Sequence, residues 1–340
     1  MDDAITRDPR GQIADDAETL ALIDRADSTE EIPTLDFAPY LEGRPGGLEE
    51  VAQKLREISM TVGFFYLKNH GIPQKLIDDA FAETRRFHSL STAEKKQIPW
   101  YDKDRFKLGY QPYQGGGEYA NTYIVSDVQP NLYAKYSFIR EEPGQPTRNT
   151  WPQNLPGFRE TVQRYHAEIE KLGRKFLPLW SQSLKLPLDY FEPMFTHPHV
   201  QLSLLHYPPQ KEVGNRQYGI APHTDNAMMT FLAQAEVPGL AVRMPSGRWR
   251  AVDIVPGTLL VNTGNSIVQW TNEDYLSTKH RVINTNNVDR YSMPVFFGPN
   301  DDVMVEVVPT CKGPDRPALY EPISYGDLRA WYNDGAPTKK

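Results

Sequence analysis

From Val200 to Val308 the chain is a succession of short apolar runs, and this feature restricts its possible folds most. The runs are Gln201 to Tyr207, Met228 to Ala233, Leu240 to Met244, Trp249 to Val252, Thr258 to Asn262, Ser277 to Asn284, Tyr291 to Phe297 and Val303 to Val308. Turn residues such as Pro238-Gly239, Pro245-Ser246-Gly247 and Pro256-Gly257 separate several of them, and no helical periodicity interrupts the series. Runs of this length, rich in β-branched and aromatic residues, read as eight strands of a β-sandwich or barrel such as a jelly roll.

The sequence before this region has a different period. Phe158, Val162, Tyr165, Ile169, Leu172, Phe176 and Leu179 alternate spacings of four and three residues, which predicts one long helix backing a sheet, with Pro178 as the place for a kink. Val51, Leu55, Ile58 and Val62 form a second stripe, Gly63 to Leu67 reads as a buried strand, and Pro73 opens another helix. The expected fold is therefore mainly β with α: a double-stranded β-helix (jelly roll) core backed by helices, with an α+β N-terminal region. Three segments are expected, namely residues 1–31 as an acidic tail, 32–150 as the N-terminal region and 151–340 as the helix-backed jelly roll. Ile323 to Tyr332 reads as a helix that either closes the barrel mouth or packs on the N-terminal region.

Charge and cysteine content narrow the function. The formal net charge is −7, and residues 1–31 hold ten acids against three bases. The tail thus accounts for the whole imbalance, and the rest of the chain is neutral. An anionic surface argues against a nucleic-acid or membrane partner, and no obligate protein partner is evident. The single cysteine, Cys311, excludes an internal disulfide, a Cys-rich zinc site and a Cys-ligated cluster. Any metal site must use His, Asp or Glu. With no apolar leader and no long apolar run, the expected location is the cytoplasm.

Of eight histidines, most have ordinary roles. His70 sits in a turn, His88 and His166 lie off the apolar stripes and are expected to be solvated, and His197-Pro198-His199 reads as a loop. His223-Thr224-Asp225 differs, because the first and third side chains of an extended segment share a face. His280 lies in a later strand, with 54 residues between it and Asp225, far enough for intervening strands to bring it round a barrel. Two imidazoles and one carboxylate on one side of an ion form the facial triad of non-haem Fe(II) oxygenases. Arg290-Tyr291-Ser292 follows on the next strand, and a guanidinium buried in a barrel needs an anion, preferably a carboxylate. Fe2+ with Asp225 is +1, a 2-oxo dicarboxylate adds −2 and Arg290 adds +1, so the buried site would be neutral.

These motifs resemble the isopenicillin-N-synthase-like family of 2-oxoglutarate- and Fe(II)-dependent oxygenases. The resemblance runs from Ile32-Pro33 and Asp36-Phe37 through Gly63-Phe64-Phe65-Tyr66 and Asn69-His70-Gly71-Ile72. It continues through Leu205-His206-Tyr207-Pro208-Pro209 to the triad and Arg290-Tyr291-Ser292. It implies that His223, Asp225 and His280 bind iron, that Arg290 and Ser292 hold the distal carboxylate of 2-oxoglutarate, and that Tyr207 contacts the same cosubstrate. It further implies oxidative decarboxylation of 2-oxoglutarate by O2 to succinate and CO2, coupled to hydroxylation or desaturation of a small, partly apolar or aromatic molecule, in the manner of secondary metabolism. An oxidase that takes all electrons from its substrate, as the family's namesake does, is the alternative. Residues 110–138 depart from the family pattern, and Asn226 replaces the glycine often found after the aspartate. Tyr110, Tyr119, Asn226 and Phe297 are accordingly the candidates for the substrate pocket. The tyrosines of this stretch otherwise read as hairpin packing, and Gly115-Gly116-Gly117 as a flexible turn.

Overall fold

In the computed structural model the described residues are 26–103, 106–113, 131–142, 144, 146–210 and 218–334. The strands are β1 (Thr34–Asp36), β2 (Phe64–Lys68), β3 (Tyr101–Lys103), β4 (Phe106–Gln111), β5 (Ala134–Ile139), β6 (His199–Tyr207), β7 (Ile220–His223) and β8 (Met229–Gln234). They continue with β9 (Leu240–Arg243), β10 (Trp249–Ala251), β11 (Thr258–Thr263), β12 (His280–Val282), β13 (Arg290–Gly298), β14 (Met304–Val305) and β15 (Ile323–Ser324). The helices are α1 (Ala38–Leu41), α2 (Gly47–Thr61), α3 (Gln74–Ser89), α4 (Thr92–Lys96), α5 (Phe158–Ser183), α6 (Asn265–Trp270) and α7 (Tyr325–Asp334).

A nine-stranded sheet runs β1-β2-β11-β8-β13-β6-β5-β4-β3, and a four-stranded sheet runs β10-β9-β12-β7. All pairings in them are antiparallel except β1 with β2. Between β6 and β13 the chain passes repeatedly from one sheet to the other, which is the double-stranded β-helix expected from the turn spacing. The N-terminal strands β1 and β2 extend the large sheet beyond β11, while β3 to β5 extend it beyond β6. The two regions of the chain therefore share one sheet.

Strand alternation divides the large sheet into two environments. One face carries Val200, Leu202, Leu204, Phe231, Val261, Met293 and Val295, which pack with the apolar stripes of α2, α3 and α5. The α5 stripe is buried along its length, from Phe158 to Leu179, and the helix continues through Pro178. The other face carries Phe64, Tyr66, Leu205, Tyr207 and Leu260, which meet Ile220, Val242 and Val282 of the small sheet.

Several expectations are corrected here. His88 and His166 are buried, because the helix faces that carry them turn toward β6; their Nε2 atoms lie 3.0 Å from the Leu204 carbonyl and 3.1 Å from the Val200 carbonyl. Burial pushes the His88 pKa down to about 3, and that of His166 also falls, so each ring stays neutral and donates one N–H to the strand. Val303 to Val308 is not a barrel strand; only Met304–Val305 pairs, and it pairs with β15. β3, β4, β5, β7 and β15 are strands that the apolar runs do not announce. Residues 27–30 of the acidic arm dock on the β9–β10 hairpin, where Ser28 N–H donates to the Trp249 carbonyl at 2.9 Å and Asp27 pairs with Arg248 at 2.9 Å. The acidic tail up to residue 25 lies outside the described residues, as do Gly115-Gly116-Gly117. Among the described residues, no helix is long and apolar enough to cross a membrane.

Phe297 marks how closely α5 meets the sheet. It is fully buried and stacks on Phe195 at a ring-centroid distance of 5.0 Å. It also lies so near Gly173 that a Cβ there would come within 2.7 Å of its ring. Phe297→Ala is expected to cost about 3–5 kcal/mol of stability by leaving a cavity under α5, read as a fall in the denaturation midpoint.

Candidate metal centre and cosubstrate pocket

β7 and β12 pair with His280 opposite His223, which brings the two imidazoles to a ring-centroid distance of 4.2 Å. His223 Nδ1 lies 2.8 Å from the Ala221 carbonyl, and His280 Nδ1 lies 3.2 Å from the Thr278 carbonyl. A carbonyl can only accept, so Nδ1 carries the proton in both rings and each Nε2 presents a lone pair. Asp225 lies two residues beyond the end of β7, with Oδ1 3.8 Å from His223 Nε2 and 3.7 Å from His280 Nε2. All three residues are buried, and their ligand atoms lie within 4.8 Å of one another.

The other carboxylate oxygen is fixed by the opposite sheet. Asp225 Oδ2 accepts from Thr230 Oγ1 at 2.6 Å and from Asn262 Nδ2 at 2.8 Å. Both donors stand on the inner face of the large sheet, on β8 and β11, and they hold the carboxylate so that Oδ1 faces the two Nε2 atoms. Burial alone would raise the Asp225 pKa; the hydrogen bonds from Thr230 and Asn262 oppose it and favour the ionised carboxylate. Burial, with the neighbouring imidazole, lowers the pKa of His223, which keeps that ligand neutral. Two imidazoles, each with Nε2 toward one point, and one oriented carboxylate suit a divalent ion of the Fe(II) type and leave further coordination positions on the cavity side.

Arg290, Ser292 and Tyr207 line the same cavity as the triad. They stand on β13 and β6, where Arg290 pairs with Tyr207. The Arg290 guanidinium lies 4.8 Å from the Tyr207 ring centroid, and the Tyr207 hydroxyl lies 3.4 Å from Ser292 Oγ. Arg290 is 2 % exposed, and its Nε and Nη1 have no hydrogen-bond partner among the described residues. Burial lowers its pKa, which reflects the cost of keeping this cation away from water. Gly239 lies beside it at φ +149°; a Cβ there would come within 2.6 Å of the Ile283 carbonyl and 3.2 Å of Arg290 Cδ. The Pro238-Gly239 turn thus leaves room for the guanidinium.

The substrate-pocket candidates divide. Asn226 lines the cavity, with its Oδ1 accepting from Asn265 Nδ2 at 3.1 Å. Phe297 does not, because Arg290, Ser292, Pro294 and Phe296 take the inward positions of β13 and alternation turns Phe297 onto the α5 side. Tyr110 fails for the same reason: Lys107 faces the cavity, whereas Tyr110 packs 5.9 Å from Phe87 in the outer core. Tyr119 lies outside the described residues. Tyr133 is a tyrosine of that stretch that does line the cavity. Sequence reasoning also missed Thr230, Asn262, Lys107, Lys135, His199, Tyr325 and Arg329. Asn262 carried a signal, being an amide directly after the apolar run Leu259-Leu260-Val261 in the same strand. Tyr325 and Arg329 place α7 at the cavity, the first of the two expected positions for the C-terminal helix.

A double-stranded β-helix with a buried His-x-Asp…His triad defines the class of non-haem iron oxygenases. Residues 198–299 match the 2OG-Fe(II) oxygenase superfamily, and residues 32–154 match the family described as non-haem dioxygenase in morphine synthesis N-terminal. The chain is 31 % identical over 310 residues to the 2-oxoglutarate-Fe(II) type oxidoreductase hxnY of Emericella nidulans, covering 87 % of each. It is also 31 % identical over 304 residues to a homoarginine-6-hydroxylase of Glycine max, covering 83 % of this chain and 89 % of that one. The crystal structure of a full-length Neurospora crassa protein in complex with alpha-KG and thymine is similar at a TM-score of 0.80 and 26 % identity, covering 91 % of this chain and 99 % of that one. The chain belongs to the 2OG-Fe(II) oxygenase superfamily, in its isopenicillin-N-synthase-like branch. It is a 2-oxoglutarate- and Fe(II)-dependent oxidoreductase whose metal ligands are His223, Asp225 and His280.

The clamp on Asp225 is testable apart from turnover. Thr230→Val, which keeps the shape and removes the donor, is expected to weaken metal binding roughly 10–100-fold. Anaerobic titration with Fe(II) or Co(II) measures it.

Proposed function

We propose that this oxygenase hydroxylates or desaturates a small metabolite with an apolar or aromatic portion, and that Arg290, Ser292 and Tyr207 hold the distal carboxylate of 2-oxoglutarate. The observation that carries the pocket assignment is the buried Arg290 guanidinium, with two nitrogens lacking partners among the described residues, in the cavity that contains the triad. A carboxylate in the cavity supplies an acceptor for this buried guanidinium.

His223, Asp225 and His280 would hold the iron, which with 2-oxoglutarate and O2 would supply the oxidising power, with succinate and CO2 as coproducts. The remaining work belongs to the protein. Arg290, with Ser292 and Tyr207, anchors the cosubstrate at one end and so sets the direction in which its 2-oxo end points. Thr230 and Asn262 keep Asp225 from turning away from the metal position. Leu205, Leu240, Val282 and Ile220 wall the cavity with apolar surface, which limits water around the reacting groups. Phe64 and Phe296 offer ring surface to an apolar or aromatic part of the substrate, and Asn226 offers a polar group beside the triad. The cavity is open at its mouth, and its empty space with that mouth included is about 1160 Å3. The relatives' names span homoarginine and other small molecules, so the substrate of this chain is argued from its own walls.

The purified protein with Fe(II), ascorbate and 2-oxoglutarate is expected to form succinate, and His223→Ala to abolish it. Arg290→Leu should raise the KM for 2-oxoglutarate by about two orders of magnitude, the scale of losing one partner of a buried charge pair. Succinate formation indifferent to both changes would remove the assignment.

A further inference from the structure

We propose that His206 is a positioning residue for the cosubstrate end of the cavity: held between Asp289 and Tyr113 behind the large sheet, it fixes the strand entry from which the Arg290 guanidinium reaches inward. This rests on the reading above that Arg290, Ser292 and Tyr207 hold the distal carboxylate of 2-oxoglutarate. It adds a residue behind them, since none of His206, Asp289 and Tyr113 lines the cavity.

The network stands on the helix-facing side of β6 and β13. His206 Nε2 lies 2.6 Å from Asp289 Oδ1, and a carboxylate can only accept, so Nε2 carries a proton. Burial lowers the His206 pKa against the pull of Asp289 and favours the neutral ring, whose Nδ1 accepts from the Tyr113 hydroxyl. The imidazole also stacks on Tyr291, its partner in the β6–β13 register, at a ring-centroid distance of 4.8 Å and an interplanar angle of 12°. His88, whose own Nε2 is committed to the Leu204 carbonyl, lies 5.2 Å away between ring centroids. One ring thus joins the end of β6, the entry to β13 and the segment just after β4.

The same two strand ends carry the cosubstrate residues on their other face. Tyr207 follows His206 and Arg290 follows Asp289, and Arg290 with Tyr207 is the terminal pair of the β6–β13 ladder. Terminal pairs open readily unless something outside the ladder holds them. Arg290 has little side-chain tethering of its own: its Nε and Nη1 have no partner among the described residues, and its guanidinium lies 4.8 Å from the Tyr207 ring centroid. Its aim therefore follows that of its backbone. Asn284 Nδ2 lies 3.2 Å from the Tyr207 carbonyl and 3.1 Å from the Val288 carbonyl, which keeps the loop before β13 closed on β6. His206 acts one residue later, on Asp289, from which Arg290 departs. Loss of His206 accordingly leaves the ladder formed and loosens the direction of the guanidinium, so the carboxylate end of the cosubstrate is held less well.

The test uses the full chain loaded with Co(II) under anaerobic conditions and titrated with 2-oxoglutarate by calorimetry, alongside succinate formation by the Fe(II) protein in air. His206→Leu and Asp289→Ala, the latter at a half-exposed side chain, are each expected to weaken 2-oxoglutarate binding and raise its KM by about tenfold, with kcat and the affinity for Co(II) changed less than about twofold. The double variant should be no weaker than either single one by more than about twofold, because both remove one interaction. His206→Gln, whose amide offers Asp289 a donor and Tyr113 an acceptor, should recover binding to within about threefold of native. Native-like 2-oxoglutarate binding in a folded His206→Leu or Asp289→Ala protein overturns the proposal, as does a loss that glutamine does not repair or that appears in Co(II) affinity instead. Arg290→Leu separates the two readings. If that variant binds 2-oxoglutarate like the native protein, the cosubstrate reading falls and this proposal with it; if it loses binding while His206→Leu and Asp289→Ala keep it, this proposal alone falls.

Discussion

The Asp225 carboxylate joins the two sheets of the barrel, and the chemistry of the site depends on that join. Its backbone leaves the small sheet at the end of β7, while its Oδ2 is held by Thr230 and Asn262 from the large sheet. Buried carboxylates are costly unless their lone pairs are used. Here one oxygen is satisfied by protein donors and the other faces two imidazole nitrogens, the arrangement that a divalent ion completes. The same contacts that hold the sheets together therefore set the orientation of a metal ligand.

Strand alternation does the rest of the sorting. On β13 the odd positions Met293, Val295 and Phe297 build the core beneath the helices, and the even positions from Arg290 to Phe296 build the wall of the cavity. One strand thus contributes to stability on one face and to chemistry on the other. A large change at Phe297 acts through packing under α5, whereas a change at Phe296 acts on what the cavity admits. The wall itself combines apolar surface with a few oriented polar groups, and its cations are arranged at two ends: Arg290 beside Tyr207, and the lysines of β4 and β5 on the far strands.

Much of this is legible from residue spacing. The α5 stripe, the run of short strands and the His223, Asp225, His280 set all follow from periods of 3.6 and 2 and from ligand chemistry. The errors are informative because they are of two kinds. Phe297 and Tyr110 read as cavity residues until strand parity, counted from Arg290 and from Lys107, turns them outward. His88 and His166 read as solvated because they lie off the main apolar stripe; each is buried by donating its one N–H to a β6 carbonyl, a partner that exists only once helix and sheet are packed. β5 escapes notice because Ala134 to Ile139 mixes Lys135 and Ser137 with aromatic residues, and Lys135 faces the cavity.

The sequence by itself determined the class of fold and the identity of the metal ligands, because periodicity and ligand type are local properties of the chain. Only the tertiary structure decided which donors restrain Asp225 and which residues of β4, β5 and α7 reach the cavity. Those depend on register between strands distant in the chain: Thr230, Asn262 and Asp225 meet because β8 and β11 pair with each other across from the end of β7, and no spacing along the chain encodes that meeting.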